Sequence, residues 1–451
     1  MVPHAASQRL ECAFSPMYML YSALLAAGLL LSLPYWLFEA LRHGKHRAGF
    51  KQRFGRVPSR LARGPSPPTI WIHAVSVGEV LAISRLVDEL RSRMPKHRVV
   101  VSTTTDTGQK LAADKFGEEN VFYFPLDFGF AVRPYLKILQ PKLIVIAETE
   151  FWPNFLRLAH ASGSKIAVVN ARISDKSLRG YGRFRPILRR VLQNVDLFLA
   201  QTETDAERLK DIGAPTGRIR VTGNLKFDVP MPPPPPIVQD LREAFKESEA
   251  SPILVCGSTV EGEESLLLRA FENVLATYPK TVMILAPRHP ERFEKVAELL
   301  RQLNVRSWRR SQWSGDPIRG GVLLCDSIGE LTSLYALADI AFVGGSLVPR
   351  GGHNIIEPAQ HGVAIVVGNH TENFRDIVGL FQGQDAVRVV GPAELPLIFM
   401  DLIANSQARM ALGARAAEIL RLQTGATHRT AEALSRLLAE SPTVPASGER
   451  L

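Results

Sequence analysis

The chain has 451 residues, of which 46% are hydrophobic and 22% charged, and a net charge of +10. That length exceeds one ordinary domain, and the composition is that of a folded α/β protein and not of a disordered chain. The charge favours anionic partners, whether phosphorylated ligands, a membrane surface or nucleic acid. The three cysteines, Cys12, Cys256 and Cys325, stand too far apart for a disulfide framework or a metal-ligand spacing, so a reducing compartment is expected.

In chain order, residues 1–16 read as a disordered N-terminus, and Met17 is an alternative start to Met1. Residues 17–38 carry no charge until Glu39 and are about long enough for the roughly 20 residues that a membrane anchor helix needs. Tyr35 and Trp36 stand where interfacial aromatics belong, and Arg42, Lys45, Arg47, Lys51, Arg53 and Arg56 follow. The positive-inside rule places that flank in the cytoplasm. A cleaved signal peptide fits less well, because bulky aromatics and no small-x-small site end the apolar run. Pro34 leaves a tilted or partly embedded helix open.

Strand and helix patterns then alternate. Strands are predicted at 69–73, 98–102, 143–147, 165–170 and 196–200, with helices over 80–93, 108–116, from Pro153 onward and over 205–212. The alternation predicts right-handed βαβ units and a parallel sheet across residues 39–228. Residues 229–238, VPMPPPPPIV, read as a stiff extended linker. Residues 239–451 repeat the logic, with strands at 252–256, 281–286, 322–325, 340–343 and 364–367 and helices over 263–276, 291–302, 330–338 and 396–439. Two α/β halves joined by a short connector predict a ligand cleft at the carboxyl ends of the strands.

The most informative stretch is Gly344–Pro358, GGSLVPRGGHNIIEP, directly after the strand 340–343. Glycines between a strand and a helix let backbone N–H groups approach an anion, and Gly351 and Gly352 are the candidate phosphate loop. Asn354 and Glu357 also stand at capping-box spacing, so the same residues read as a helix start. Glu79, ending HAVSVGE, sits at a strand-to-helix turn where a carboxylate can take a proton from a hydroxyl. With Ser76 it equally forms a capping box. Glu148 and Glu150 in AETEFWPN follow a buried strand and are candidate site carboxylates or loop and capping groups. Lys226 in TGNLKFD reads as a solvated charge or as a partner for carboxylate or phosphate. Arg288 in PRHPER can grip phosphate with its guanidinium fork. His289 and His353 read as structural. Arginines at 172, 179, 183, 185, 189 and 190 suit an anionic membrane face or a plain charged surface. Without aromatic interleaving or a recognised module, nucleic acid is discounted.

Taken together, HAVSVGE, AETEFWPN, TGNLKFD, PRHPER, the Gly329–Leu331 GEL and GGSLVPRGGHNIIEP occur in the order seen in bacterial 3-deoxy-D-manno-octulosonic acid (Kdo) transferases, which the chain resembles from Met17 to its last helices. The residues before Met17 and the long proline run depart from that pattern and touch no motif. The resemblance implies a GT-B enzyme with two Rossmann-like domains and one N-terminal transmembrane helix at the bacterial inner membrane, its catalytic body cytoplasmic. It implies CMP-Kdo as donor, the lipid A precursor (tetraacyldisaccharide 1,4'-bisphosphate) as acceptor, inversion at the anomeric carbon, and neither cofactor nor metal. It assigns Glu79 as general base and Glu148 and Lys226 to transition-state stabilisation. CMP contacts fall on Pro287, Arg288, Ile328, Gly329, Glu330, Asn354, Ile355, Ile356 and Glu357. Two alternatives remain at this stage: a membrane-anchored GT-B transferase using a UDP- or GDP-sugar, and a non-enzymatic protein binding anionic lipid.

Overall fold

The structure, a computed structural model, describes residues 16–43, 49–62, 67–182, 184–229, 231 and 233–439. Apart from Pro16, the N-terminal segment expected to be disordered lies outside them, as does Arg183 of the arginine-rich stretch. The chain forms two units, residues 1–228 with 425–451, and residues 229–424.

The first unit begins with α1 (Pro16–His43) and α2 (Phe50–Arg53). There follow β1 (Thr69–His73), α3 (Val77–Arg93), β2 (Arg98–Thr103), α4 (Asp106–Phe116), β3 (Val121–Tyr123), α5 (Gly129–Leu139) and β4 (Pro141–Ala147). Then come α6 (Pro153–Ala161), β5 (Lys165–Ala171), α7 (Asp175–Gly182), α8 (Arg185–Leu192), β6 (Leu197–Ala200), α9 (Glu203–Asp211) and β7 (Ile219–Val221). The seven strands are all parallel in the order β3-β2-β1-β4-β5-β6-β7. Strand order reverses between β1 and β4, so the loops leaving those two strands part to opposite sides and open a crevice at their carboxyl ends. Both strands are buried almost throughout, as a sheet covered on both faces requires. One face packs on Trp71, Phe122, Tyr135 and Phe155, the other on Ile83, Leu86 and Val87 of α3.

The second unit contains α10 (Pro236–Glu247), β8 (Ile253–Thr259), α11 (Glu263–Thr277), β9 (Val282–Pro287), α12 (Phe293–Gln302), β10 (Ser307–Arg309), β11 (Gly321–Leu324) and α13 (Leu331–Leu334). It continues with β12 (Ile340–Val343), α14 (Ile356–Gln360), β13 (Ala364–Gly368), α15 (Arg375–Gly383), β14 (Arg388–Val390), α16 (Leu395–Ala404) and α17 (Ser406–Gln423). Its strands are again parallel, in the order β10-β11-β9-β8-β12-β13-β14, with the reversal between β8 and β12.

Two expectations are corrected. The last helix, α18 (Ala426–Ala439), belongs to the first unit and not to a domain running from 239 to 451. Its Ala426, Ala431 and Leu434 share a core with Val80 and Leu86, and Asp228 accepts the N–H groups of Gly425 (2.6 Å) and Thr427 (2.5 Å) at its start. An amphipathic helix declares that it needs a sheet but not which one. The proline linker also ends earlier than 238: Pro236 opens α10, and Ile237 and Val238 lie on its buried face. Proline is tolerated in the first helical turn, where its missing N–H has no partner to lose.

The expected membrane anchor, residues 17–38, is partly outside the residues whose side chains are described. It falls within α1, and among the described residues no helix is long and apolar enough to cross a membrane. The first half of α1 docks on the first unit. Met17 and Tyr18 pack against its core, Arg157 lies 4.7 Å over the Tyr18 ring, and Asn154 Nδ2 donates to Ser22 Oγ at 2.9 Å.

Candidate active site

At the reversal point of the first sheet, β1 and β4 end side by side, with His73 opposite Ile146. The backbone after β1 turns through Ala74–Ser76 into α3, whose third residue is Glu79. The backbone after β4 places Glu148 in the left-handed region at φ 58, an uncommon conformation for a residue with a side chain. Its N–H is held by Val169 O at 2.9 Å, which fixes the side chain at the crevice. His73, fully buried and stacked on Phe124 at 3.9 Å, meets Ser102 at the end of β1 and plays a packing role.

Glu79 is 8% exposed. Its Oε2 accepts the N–H of Val75 at 2.7 Å and its Oε1 the hydroxyl of Ser76 at 3.1 Å. Burial raises its pKa to about 7. The Val75 and Ser76 bonds oppose the rise, and the charges of Glu148 and Glu150 add to it. Glu150 is itself raised, by burial and by Glu148. Lys226, on the 3₁₀ turn Leu225–Phe227, reaches Glu148 Oε1 at 3.3 Å. That turn is fixed by two asparagines: Asn224 Oδ1 accepts the N–H of Lys226, and Asn170 Oδ1 that of Leu225. Glu79, Glu148 and Lys226, far apart in sequence, therefore meet at one crevice. The capping reading of Glu79 survives in altered form, since Ser76 donates to the carboxylate and accepts no helix N–H through its side chain.

In the second unit the expected nucleotide residues lie on the loops leaving β9, β11 and β12, at the carboxyl edge of one sheet. Arg288 is exposed after the buried Pro287, and its N–H donates to Thr259 O at 2.9 Å. His353 is pressed down to about 4 by burial, then by Arg288 and His289, so these three groups lie together beside the glycine-rich loop. Ile328 is 78% exposed, as a side chain available to a ligand should be. Glu330 is held by Arg310 (2.8 Å) and by the Ser327 hydroxyl. Glu357 accepts from Thr332 Oγ1 at 2.9 Å and from Asn354 Nδ2 at 3.3 Å, which joins α13 and α14, the helices that follow β11 and β12.

Several expectations change here. Ile355 and Ile356 are buried, backbone and side chain alike. The helix after the glycines, α14, spans only Ile356–Gln360, too short for a substantial dipole. The glycine-loop N–H groups are largely engaged. Gly352 donates to Gly345 O at 2.7 Å, and Gly345, Ser346 and Leu347 all donate to Glu263. Glu263, with its neighbour Glu264, was not singled out from sequence, where Gly262-Glu-Glu reads as an ordinary acidic helix start.

The family model described as 3-deoxy-D-manno-octulosonic-acid transferase (Kdo transferase) matches residues 48–229. The 3-deoxy-D-manno-octulosonic acid transferase of Haemophilus influenzae is 33% identical, over 93% of this chain and 98% of its own. That of Bordetella pertussis is 35% identical, over 88% and 94%. Among solved structures, the C-terminal CMP-Kdo binding domain of WaaA from Acinetobacter baumannii is 35% identical, covering 41% of this chain and 98% of that one, with a TM-score of 0.39. MurG from Acinetobacter baumannii, 12% identical over 82% of this chain and all of its own, has a TM-score of 0.52, a likeness of fold alone and one that matches the GT-B arrangement of two parallel sheets. The chain belongs to the 3-deoxy-D-manno-octulosonic acid transferases, glycosyltransferases of lipopolysaccharide biosynthesis.

Proposed function

We propose that the protein moves Kdo from CMP-Kdo to a hydroxyl of the lipid A precursor, with inversion at the anomeric carbon. The observation that carries this reading is the meeting of Glu79, Glu148 and Lys226 in one crevice, with Glu79 poised near neutrality. Glu79 takes the proton of the attacking hydroxyl, whose oxygen forms the new bond to the anomeric carbon. The bond from that carbon to the CMP phosphate breaks, and its electron pair leaves on the phosphate oxygen. Arg288 offsets that developing charge, and Ile328, Gly329, Glu330, Asn354 and Glu357 hold the nucleotide. Lys226 balances Glu148 beside the base, where the donor's own carboxylate also needs a cation. The scheme uses no metal and no cofactor.

The acceptor is a lipid, and the first unit supports a place for it at the inner membrane surface. Met19, Leu20, Leu24, Leu30 and Leu31 are exposed on α1. Phe50, Phe54 and Phe130 form a second exposed apolar group, with ring centroids 4.6 Å and 6.4 Å apart. Large exposed apolar patches mark interaction surfaces.

The test is direct. Purified protein is incubated with CMP-Kdo and the lipid A precursor, the products are weighed, and the anomeric configuration is read by NMR. A mass increase of one or more Kdo units with inverted configuration is expected. No transfer from CMP-Kdo, with transfer from a UDP- or GDP-sugar, overturns the donor assignment. Flotation with anionic vesicles tests the membrane arm, and protein remaining at the bottom of the gradient rejects it.

A further inference from the structure

The chemistry above makes no use of the start of α11, yet a fully buried carboxylate sits there. Glu263 Oε2 accepts the N–H groups of Val260 at 3.0 Å and Gly345 at 2.7 Å, and Oε1 accepts those of Ser346 and Leu347 at 2.8 Å each. Three consecutive amides converging on one anion make a backbone nest, the device with which many loops hold phosphate. Gly345 makes the nest possible with φ 70. Gly344 makes room for the anion, since a Cβ there would stand 2.8 Å from Glu263 Oε2 and 2.5 Å from Ser258 O. The anion in this nest comes from the protein itself.

The fastening extends outward from the nest. Ser346 Oγ donates to Val343 O at 2.6 Å and accepts from Gly368 N at 2.8 Å, tying the loop to the ends of β12 and β13. Next to Glu263, Glu264 accepts Arg292 Nη2 at 3.0 Å and Thr259 Oγ1 at 3.2 Å. Arg292 belongs to the same short segment as Arg288. One helix start therefore secures both the loop after β12 and the loop after β9, on either side of β8.

We propose that Glu263 is a positioning residue of the donor site: a resident anion that fills the amide nest of the glycine-rich loop. The loop is then a preformed wall, and the donor phosphate is gripped by side chains beside it, Arg288 foremost, and not by the amides of Gly345–Leu347. This rests on the nucleotide-donor reading given above. It makes Glu263→Ala a specific lesion, because three inward N–H groups are left facing a hole the size of a carboxylate.

Two measurements decide it. In the wild-type full chain, hydrogen exchange of peptides spanning 344–348 should be slow without ligand and unchanged by saturating CMP, with CMP binding confirmed by calorimetry on the same sample. Fast exchange that CMP then suppresses overturns the proposal, because the nest would be waiting for phosphate. Absence of calorimetric binding sinks the nucleotide reading instead, while the ligand-free exchange still reports on the clasp. In the second measurement, Glu263→Ala should raise the donor KM about tenfold or more and leave the acceptor KM unchanged, with added formate restoring the donor KM. A folded variant with wild-type donor KM, or one indifferent to formate, rejects the role. Should that variant fail to fold, the wild-type exchange pattern decides alone.

Discussion

The two sheet-reversal points are built alike, yet their glutamates are held differently. In each, a glutamate opens the helix after the first strand; Glu79 is bonded within its own strand-to-helix turn, Glu263 mainly by the loop of the strand across the reversal. In the first unit Glu79 has two donors, the Val75 N–H and the Ser76 hydroxyl, with Glu148 and Glu150 as like-charged neighbours. In the second unit Glu263 has four backbone donors. Burial raises the pKa of both, but only Glu263 is saturated with hydrogen bonds that oppose the rise. A carboxylate with spare lone pairs and repelling neighbours can take up a proton, whereas one with every lone pair engaged by amides serves as a fixture.

The largest effect that can break this contrast is at Glu79. Glu79→Gln should lower kcat by about 10²–10⁴-fold and leave CMP affinity intact, as expected for removal of a general base. Transfer at near-normal rate in that variant would end the assignment. Lys226→Ala comes next, with a fall in kcat of about tenfold or more. Without its cation, Glu148 repels the Glu79 carboxylate more strongly, so the acid limb of the pH–rate profile, set by a pKa of about 7 in the wild type, should move to higher pH. A limb that stays put or moves down contradicts the coupling. Arg288→Ala should weaken CMP binding about tenfold, read by calorimetry, and equal affinity removes Arg288 from the site.

A smaller effect sharpens the contrast through stability. The Glu79 pKa is raised above its ordinary 4.5, so the native state holds that proton more tightly than the unfolded chain. Its contribution is therefore present below about pH 4.5 and lost as pH rises through about 7. The loss is at most roughly 3 kcal/mol. Denaturant titrations at pH 5 and pH 8 should show Glu79→Gln gaining on the wild type as pH rises, and parallel curves would refute the sign. Smallest is Asp228→Asn, which weakens the hold on the start of α18 and should destabilise the first unit by about 1 kcal/mol, with little change in CMP affinity.

Much of the fold was legible because both sheets are covered on both faces. Fully buried strands such as 143–147 and 282–286 read as unbroken apolar runs. The missed strands, β3, β7, β10 and β14, are three residues long and lie at or beside sheet edges, too short to show a period. The helix expected over 330–338 proved to be the single turn α13 followed by a 3₁₀ turn, because propensity cannot decide so short a stretch. Glu79, Glu148 and Lys226 stood out because strand ends and glycine turns flagged them. Glu263 did not, since an acidic residue in a first helical turn is ordinary and three of its four donors lie 82 to 84 positions away.

From the sequence alone came what local chemistry dictates: two runs of alternating strand and helix, a proline break, and motifs at strand ends whose order names the family. Tertiary structure alone decided the partnerships, namely α18 returning to the first unit, Lys226 beside Glu148, and the glycine amides turned toward Glu263. The physical reason is range. Periodicity and turn chemistry act over a few residues, whereas the state of a buried carboxylate depends on which distant amides and charges the fold brings to it.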